Sequence, residues 1–371
     1  MKLGIDISTY LEELAHGARY FDGDKEIDPL DAFLQNGVSL VRIRVWNDPK
    51  DENGAPYLGG GCDLQNFLQL AKRVTEKGFG LLLDLHYSDF WADPGKQTIP
   101  KAWANHDAAQ LAEDVFAYTR DTIRAIRAAG IPLQLVQIGN EITNGMLWPA
   151  GRLTERADGG RDGYATLAKL LNAGARACRA ESPASQIVLH LERSNDGAVY
   201  QEFFSNMAEF GVDYDVIGAS YYPYWHGTTE ELFANLNACK RFGKRIMVME
   251  LGYGFTLENY ILQGGAARLV VDGDSVQSFG FAQHFPLTPA GQAAFVADFL
   301  LKARQNGLDA VFYWEPLWIP GEGICWASAA GQAYIGESGK STVNEWANQC
   351  LFDYTGHKLP ACDAFCADLR K

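Results

Sequence analysis

Short runs of consecutive apolar residues recur along the chain, at residues 3–7, 40–45, 80–85, 133–138, 186–191, 216–219, 245–249 and 310–314. Runs of this length, apolar at nearly every position, are the pattern of strands buried on both faces of a sheet. Between them lie segments with apolar residues on one helical stripe. Residues 64–77 place Leu64, Phe67, Leu68, Ala71 and Val74 on one face; residues 108–129 do the same with Leu111, Val115, Tyr118, Ile123 and Ile126. Residues 163–180, 198–209, 230–241 and 291–306 follow the same rule. Alternating strand and helix predicts a parallel sheet with right-handed crossovers, and eight such units close into a (β/α)8 TIM barrel. An open doubly wound sheet carries a glycine-rich phosphate turn after its first strand. Here that strand runs into Asp6-Ile7-Ser8-Thr9-Tyr10, which has none.

The chain has 371 residues, more than the ~250 typical of a barrel. The surplus falls after the strands, at residues 47–63, 86–106, 140–162, 250–289 and 315–341, and no linker or shift in composition divides the chain. One domain spanning 1–371 is expected, with long βα loops gathered at the face where barrel enzymes build their sites.

Composition narrows the chemistry. Hydrophobic residues are 47% and charged residues 21%, which suits a packed core rather than a disordered chain. The net charge of −14 disfavours nucleic acid and anionic membranes as partners and suits a neutral substrate. No apolar run is long enough to span a bilayer. A signal-peptide pattern is not present before residue 3, so the sequence as written predicts a cytoplasmic protein, or a secreted one whose signal was removed. A monomer is expected. The seven cysteines include no CxxC pair, so buried thiols are expected rather than a zinc or redox centre; Cys362 and Cys366 sit at a spacing poorly suited to a bridge, and pairing of Cys62 with Cys325 is open.

Two carboxylates stand at strand ends. Glu141 follows the fourth run and Glu250 the seventh, 109 residues apart in sequence but at the same face of a barrel. Either could be a buried salt-bridge partner of an arginine such as Arg44; two of them, each directly after an apolar strand, point instead to paired acid and anion chemistry across a mouth. Such pairs cleave glycosidic bonds, one carboxyl protonating the departing oxygen and the other attacking the anomeric carbon. Asn140, next to Glu141, offers an amide donor for a sugar hydroxyl. A metal-dependent barrel hydrolase would need closely spaced histidines on the first strand, which offers only Asp6.

Longer motifs surround these residues: Arg42-Ile43-Arg44-Val45-Trp46-Asn47-Asp48-Pro49, His86-Tyr87-Ser88-Asp89-Phe90-Trp91-Ala92-Asp93-Pro94-Gly95-Lys96-Gln97, Gln137-Ile138-Gly139-Asn140-Glu141, Gly218-Ala219-Ser220-Tyr221-Tyr222-Pro223-Tyr224-Trp225-His226-Gly227 and Trp314-Glu315-Pro316-Leu317-Trp318. Together they resemble glycoside hydrolase family 53, the arabinogalactan endo-β-1,4-galactanases, from the first strand to about residue 352. The resemblance implies a retaining mechanism on β-1,4-galactan or galacto-oligosaccharides, with Glu141 as general acid/base and Glu250 as nucleophile. It implies that Asn140 binds the 2-hydroxyl of the sugar being cut, and that Arg44, His86 and Tyr222 orient Glu250 or touch the same sugar. Trp314 would lie under that ring, Trp91 would line a neighbouring subsite, and Asp89, Asp93 and His226 would contact hydroxyls. Trp46, Trp103 and His190 read equally well as core. Bacterial members often carry a calcium loop soon after the nucleophile. Residues 251–260 lack its ligand series and Asp272-Gly273-Asp274 has too few oxygen ligands, so neither a metal nor another cofactor is expected.

Overall fold

The computed structural model describes residues 1–154, 161–262, 265–266, 269–273, 281–339 and 342–367. Eight strands form the barrel: β1 (Lys2–Asp6), β2 (Val38–Val45), β3 (Gly80–Leu85), β4 (Leu135–Ile138), β5 (Gln186–Leu191), β6 (Val216–Tyr221), β7 (Arg245–Leu251) and β8 (Ala310–Trp314). They pair in sequence order, all parallel, and β8 returns to β1 to close the sheet. The ring of helices includes α1 (Tyr10–Ala15), α2 (Pro29–Gln35), α3 (Leu64–Glu76), α4 (Ala108–Ala128), α5 (Arg161–Glu181), α6 (Gly197–Glu209), α7 (Thr229–Cys239) and α8 (Pro289–Gln305). Their starts are marked in sequence. Asp63 and Asp107 accept backbone N–H groups of α3 and α4, and Thr228 and Glu231 close a capping box on α7.

Side chains alternate across each strand, and this alternation builds the site. Leu40, Leu82, Leu135, Val188, Val216, Met247, Met249, Ala310 and Phe312 fill the barrel interior, while Val41, Leu83, Val136, Ile217 and Val248 pack outward with the helices. One step of two residues above the inner layer, the same faces turn polar: Asp6, Arg42, Asp84, Gln137 and His190, all buried. Strict alternation along β7 would send Glu250 outward with Val248. A register shift between β6 and β7 removes that conflict: Ala219 pairs with Val248, but Ser220 pairs with Glu250. The extra residue re-aims Glu250 toward the mouth.

The expected strands lie where the apolar runs predicted, with shifted ends. The sixth and seventh extend to Tyr221 and Leu251, so Glu250 lies within its strand rather than after it. Pairing of the fourth begins at Leu135. Two short helices and a hairpin (Tyr20–Asp22 with Lys25–Ile27) lie between β1 and β2; three-residue strands carry too little periodicity to be read from sequence. Cys62 and Cys325 are separate buried thiols, and burial pushes both up to about 12. The side chain of Cys366 and residue Asp274 lie outside the described residues, as do parts of the long loops after β4 and β7. Among the described residues, no helix is long and apolar enough to cross a membrane.

Gly4 tests the packing of the barrel interior. A Cβ on it would lie 2.3 Å from Cδ1 of Phe312. Gly4→Ala is expected to lower stability by about 1–3 kcal/mol through overpacking, measured as a lower midpoint in denaturant unfolding.

Candidate active site

Arg42 reaches the centre of the mouth from β2. Its Nη1 donates to Asp6 Oδ2 at 2.7 Å and to Glu250 Oε1 at 3.0 Å. Nη2 donates to Asn140 Oδ1 at 2.7 Å and lies 2.8 Å from Asp84 Oδ2, and Nε donates to Gln137 Oε1 at 3.2 Å. The guanidinium is fully buried, and its carboxylate partners outweigh the cost of burial and keep it charged. Tyr222 donates to the other oxygen of Glu250 at 2.9 Å.

Glu141 lies three residues beyond β4, at φ 48°, a left-handed conformation that non-glycine residues adopt at a cost. The bend turns its carboxyl toward Ser220, whose Oγ is 2.6 Å from Oε1. Burial, then the neighbouring Glu250 and Glu192 charges, raise the Glu141 carboxyl well above its ordinary range. Burial raises Glu250 as well, but Arg42 and Tyr222 pull it back. The two carboxyls thus sit in different environments, one beside a cation and one without.

Glu141, His190 and Glu250 each bring one donor atom within 4.8 Å of the others. Among the described residues this is the group with metal-ligand spacing, but both nitrogens of His190 face other partners: Nδ1 lies 2.9 Å from Asn140 Oδ1 and Nε2 2.9 Å from Ser220 Oγ. Burial holds His190 well below its ordinary range and His226 down to about 4, so both are neutral at pH 7.

A cleft of about 440 Å³ opens over these groups. Arg44, His86, Trp91, Asp93, Asn140, Tyr222, His226 and Trp314 line it beside the two glutamates. His86 takes N–H groups of Trp46 and Ala92 on Nδ1, both at 3.2 Å, so its proton sits on Nε2, 3.0 Å from Asp84 Oδ2. Asn140 gives an amide N–H to Ala92 O at 2.9 Å. Aromatic rings form the walls: Trp314 packs edge-on against Trp346 at 4.7 Å, Trp91 lies parallel to Trp326 at 6.4 Å, and Trp225 is 47% exposed at the rim.

Of the expected site residues, Arg44 meets one of its two alternatives and Asp89 stands outside the lining. Arg44 lines the cleft, but its Nη1 pairs with Glu315 Oε1 at 2.5 Å and its Nη2 donates to Gly59 O at 2.6 Å. The partner of Glu250 is Arg42, two residues earlier on the same face of β2. Asp89 is not among the lining residues. It is buried and accepts the N–H groups of Asp48 at 2.9 Å and Lys101 at 2.7 Å, tying neighbouring loops together. Sequence reasoning also missed Glu192, Arg193, Trp225, Trp326 and Trp346 in the lining. Arg42 had a signal: it continues the period of two that begins at Leu40. Trp326 and Trp346 had none, because distant loop segments bring them in.

A (β/α)8 barrel whose mouth holds two close carboxyls, a guanidinium on one of them and a wall of tryptophans has the site of a retaining glycoside hydrolase. The sequence pattern of glycosyl hydrolase family 53 matches residues 2–365, and the chain belongs to that family. It is 33% identical to an endo-β-1,4-galactanase of Bacillus subtilis over 98% of this chain and 84% of that protein. The glycosyl hydrolase family 53 catalytic domain of Ignisphaera aggregans superposes with a TM-score of 0.86 at 35% identity, covering 98% of this chain and 94% of that one. A fungal β-1,4-galactanase superposes with a TM-score of 0.77 at 28% identity, covering 98% of each chain.

Two variants test the assignment of partners. Arg42→Lys keeps the charge but cannot hold Glu250 and Asn140 together; kcat/KM is expected to fall by about 10²–10³, equivalent to ~3–4 kcal/mol of transition-state stabilisation. Asp89→Asn is expected to leave kcat/KM within a few-fold of wild type while lowering the melting temperature; a large loss of kcat/KM at unchanged stability would return Asp89 to the site.

Proposed function

We propose that residues 1–371 form one catalytic domain that acts as a monomer and hydrolyses β-1,4-galactan from within the chain, by double displacement. The observation that carries this reading is the approach of Glu141 and Glu250, with oxygens within 4.8 Å. Inverting enzymes hold their carboxyls about 6.5–9.5 Å apart to admit a water, whereas retaining ones need about 5–5.5 Å. In the first step a Glu250 oxygen attacks the anomeric carbon as the glycosidic bond breaks, and the Glu141 proton passes to the departing oxygen. A galactosyl ester on Glu250 results. In the second, Glu141 takes a proton from water, the hydroxyl attacks the same carbon, and Glu250 leaves as carboxylate.

The surrounding residues fit these roles. Arg42 and Tyr222 fix both oxygens of Glu250 and keep it anionic. Asn140 lines the cleft, and its amide carries a second N–H that can serve as donor to the 2-hydroxyl. Asp93, Arg44 and His226 offer polar contacts to galactose hydroxyls, His86 lines the cleft with both ring nitrogens already held, and Trp314 and Trp91 present flat rings to the sugar's apolar face.

Product analysis on linear β-1,4-galactan tests the reading. Wild type is expected to release short galactose oligomers whose new reducing ends are first formed as the β-anomer by NMR, and Glu250→Ala none. Cleavage of other β-glycans but not galactan would overturn the substrate; an α-anomer would overturn the mechanism. The pH profile is a second check. Glu250 must be ionised, so activity falls as pH drops through its raised pKa. Glu141 must be protonated, so activity falls as pH rises through its still higher one. A bell-shaped kcat/KM is expected, and Glu141→Gln should lose its basic limb.

A further inference from the structure

The hydrogen bonds that join the two glutamates have a direction, and Arg42 sets it. A guanidinium only donates, so Asn140 Oδ1 accepts from Nη2, while Ala92 O fixes the other end of the same amide as donor. His190 Nδ1, 2.9 Å from that oxygen, must then carry a hydrogen; a bare Nδ1 would set two lone pairs against each other. Gln137 Nε2 has four acceptors in reach, Asp84 Oδ1 at 2.6 Å, Gly139 O at 3.0 Å, Asn140 Oδ1 at 3.1 Å and His190 Nδ1 at 3.3 Å; with two hydrogens it serves the two nearest, which leaves the contact between Asn140 Oδ1 and Nδ1 to be closed from His190. Neutral His190 has one ring hydrogen, so Nε2 is an acceptor and takes the hydroxyl hydrogen of Ser220. That leaves Ser220 Oγ as acceptor toward Glu141, and the 2.6 Å contact is complete only when Glu141 Oε1 carries the proton.

We propose that His190 and Ser220 are positioning residues that hold the proton of Glu141 in the free enzyme, the Ser220 hydroxyl turning from His190 to Glu141 when that proton is given up. A hydroxyl suits this task because it accepts and donates by rotation alone. Before cleavage, Glu141 donates to Ser220 and Ser220 to His190 Nε2. When the departing oxygen takes the proton, the O–H bond on Glu141 is lost and Ser220 swings to donate to the new carboxylate. When water returns a proton to Glu141, the hydroxyl swings back. His190 thereby biases Glu141 toward its acid form, because its Nε2 competes with the carboxylate for the Ser220 hydrogen. The charges facing Glu141 act in the same sense: Glu250 from β7, Glu192 beyond β5 and Asp93 beyond β3. Around His190, Arg42, His86 and His226 oppose a second ring proton.

This inference rests on Glu141 being the acid, and the test separates the two. His190→Asn keeps an N–H toward Asn140 but removes the acceptor facing Ser220; His190→Gln supplies an amide oxygen near the Nε2 position. His190→Asn is expected to move the basic limb of kcat/KM on galactan to lower pH by roughly half to one unit, the worth of one hydrogen bond. His190→Gln should largely restore it, and the shift should vanish in a Ser220→Ala background. If instead Nε2 carried the hydrogen and Ser220 donated to the carboxylate, removing His190 would move the limb to higher pH. An upward or absent shift, or an equal shift without Ser220, overturns the proposal. Ser220→Ala, the smaller change, gives a second readout: kcat/KM should fall several-fold on galactan but hold on a nitrophenyl β-galactobioside, whose leaving group needs no proton. Equal losses on both overturn it. Glu141→Ala with undiminished galactan cleavage would overturn the parent reading, and the relay with it.

Discussion

The buried guanidinium of Arg42 is the constraint on which the mouth of the barrel depends. Burying a cation without partners costs several kcal/mol, and at this depth it is tolerated because Asp6, Asp84 and Glu250 supply charge and Asn140 and Gln137 supply acceptors. Those partners come from β1, β3, β4, β7 and the turn after β4. One side chain thus clamps the register of half the barrel and sets which atoms donate and which accept. The side-chain polarity of Asn140, His190 and Ser220 follows from it.

Charge balance then separates the two glutamates. Arg42 and Arg44 face Asp6, Asp84, Glu250 and Glu315. The centre already carries an excess of carboxylates, so one more anion is disfavoured, and Glu141 is the group without a cation. Burial pushes both glutamates in the same direction; the cation on one side produces the difference. The chemistry of family 53 asks for this asymmetry, and here it arises from where the arginines stand rather than from any difference between two identical side chains.

The aromatic wall follows a different logic. Trp314 ends β8, and Trp225 and Trp91 follow closely on the ends of β6 and β3, whereas Trp326 and Trp346 come from the long segment after β8. Arg44 stacks 4.2 Å from the Trp91 ring while holding Glu315 and the backbone at Gly59. The loop wall is therefore fastened to the strand layer by a second arginine, which explains why an arginine that lines the cleft takes no part in holding Glu250.

The amino-acid sequence by itself determined the eight apolar runs, their alternation with amphipathic helices and the placement of Glu141 and Glu250 at the same rim. Burial on two faces and helical periodicity leave marks that no long-range contact is needed to read. It also carried the polar series Asp6, Arg42, Asp84, Gln137 and His190, each two residues above an interior position. The tertiary structure alone decided which arginine meets Glu250, because that depends on the extra residue in β7 and on the stagger between strands. It alone took Asp89 out of the cleft, since the backbone N–H groups that claim it come from segments up to 41 residues away. And it alone brought Trp326 and Trp346 over the glutamates, because the path of a long loop is set by what it packs against rather than by any period in its own residues.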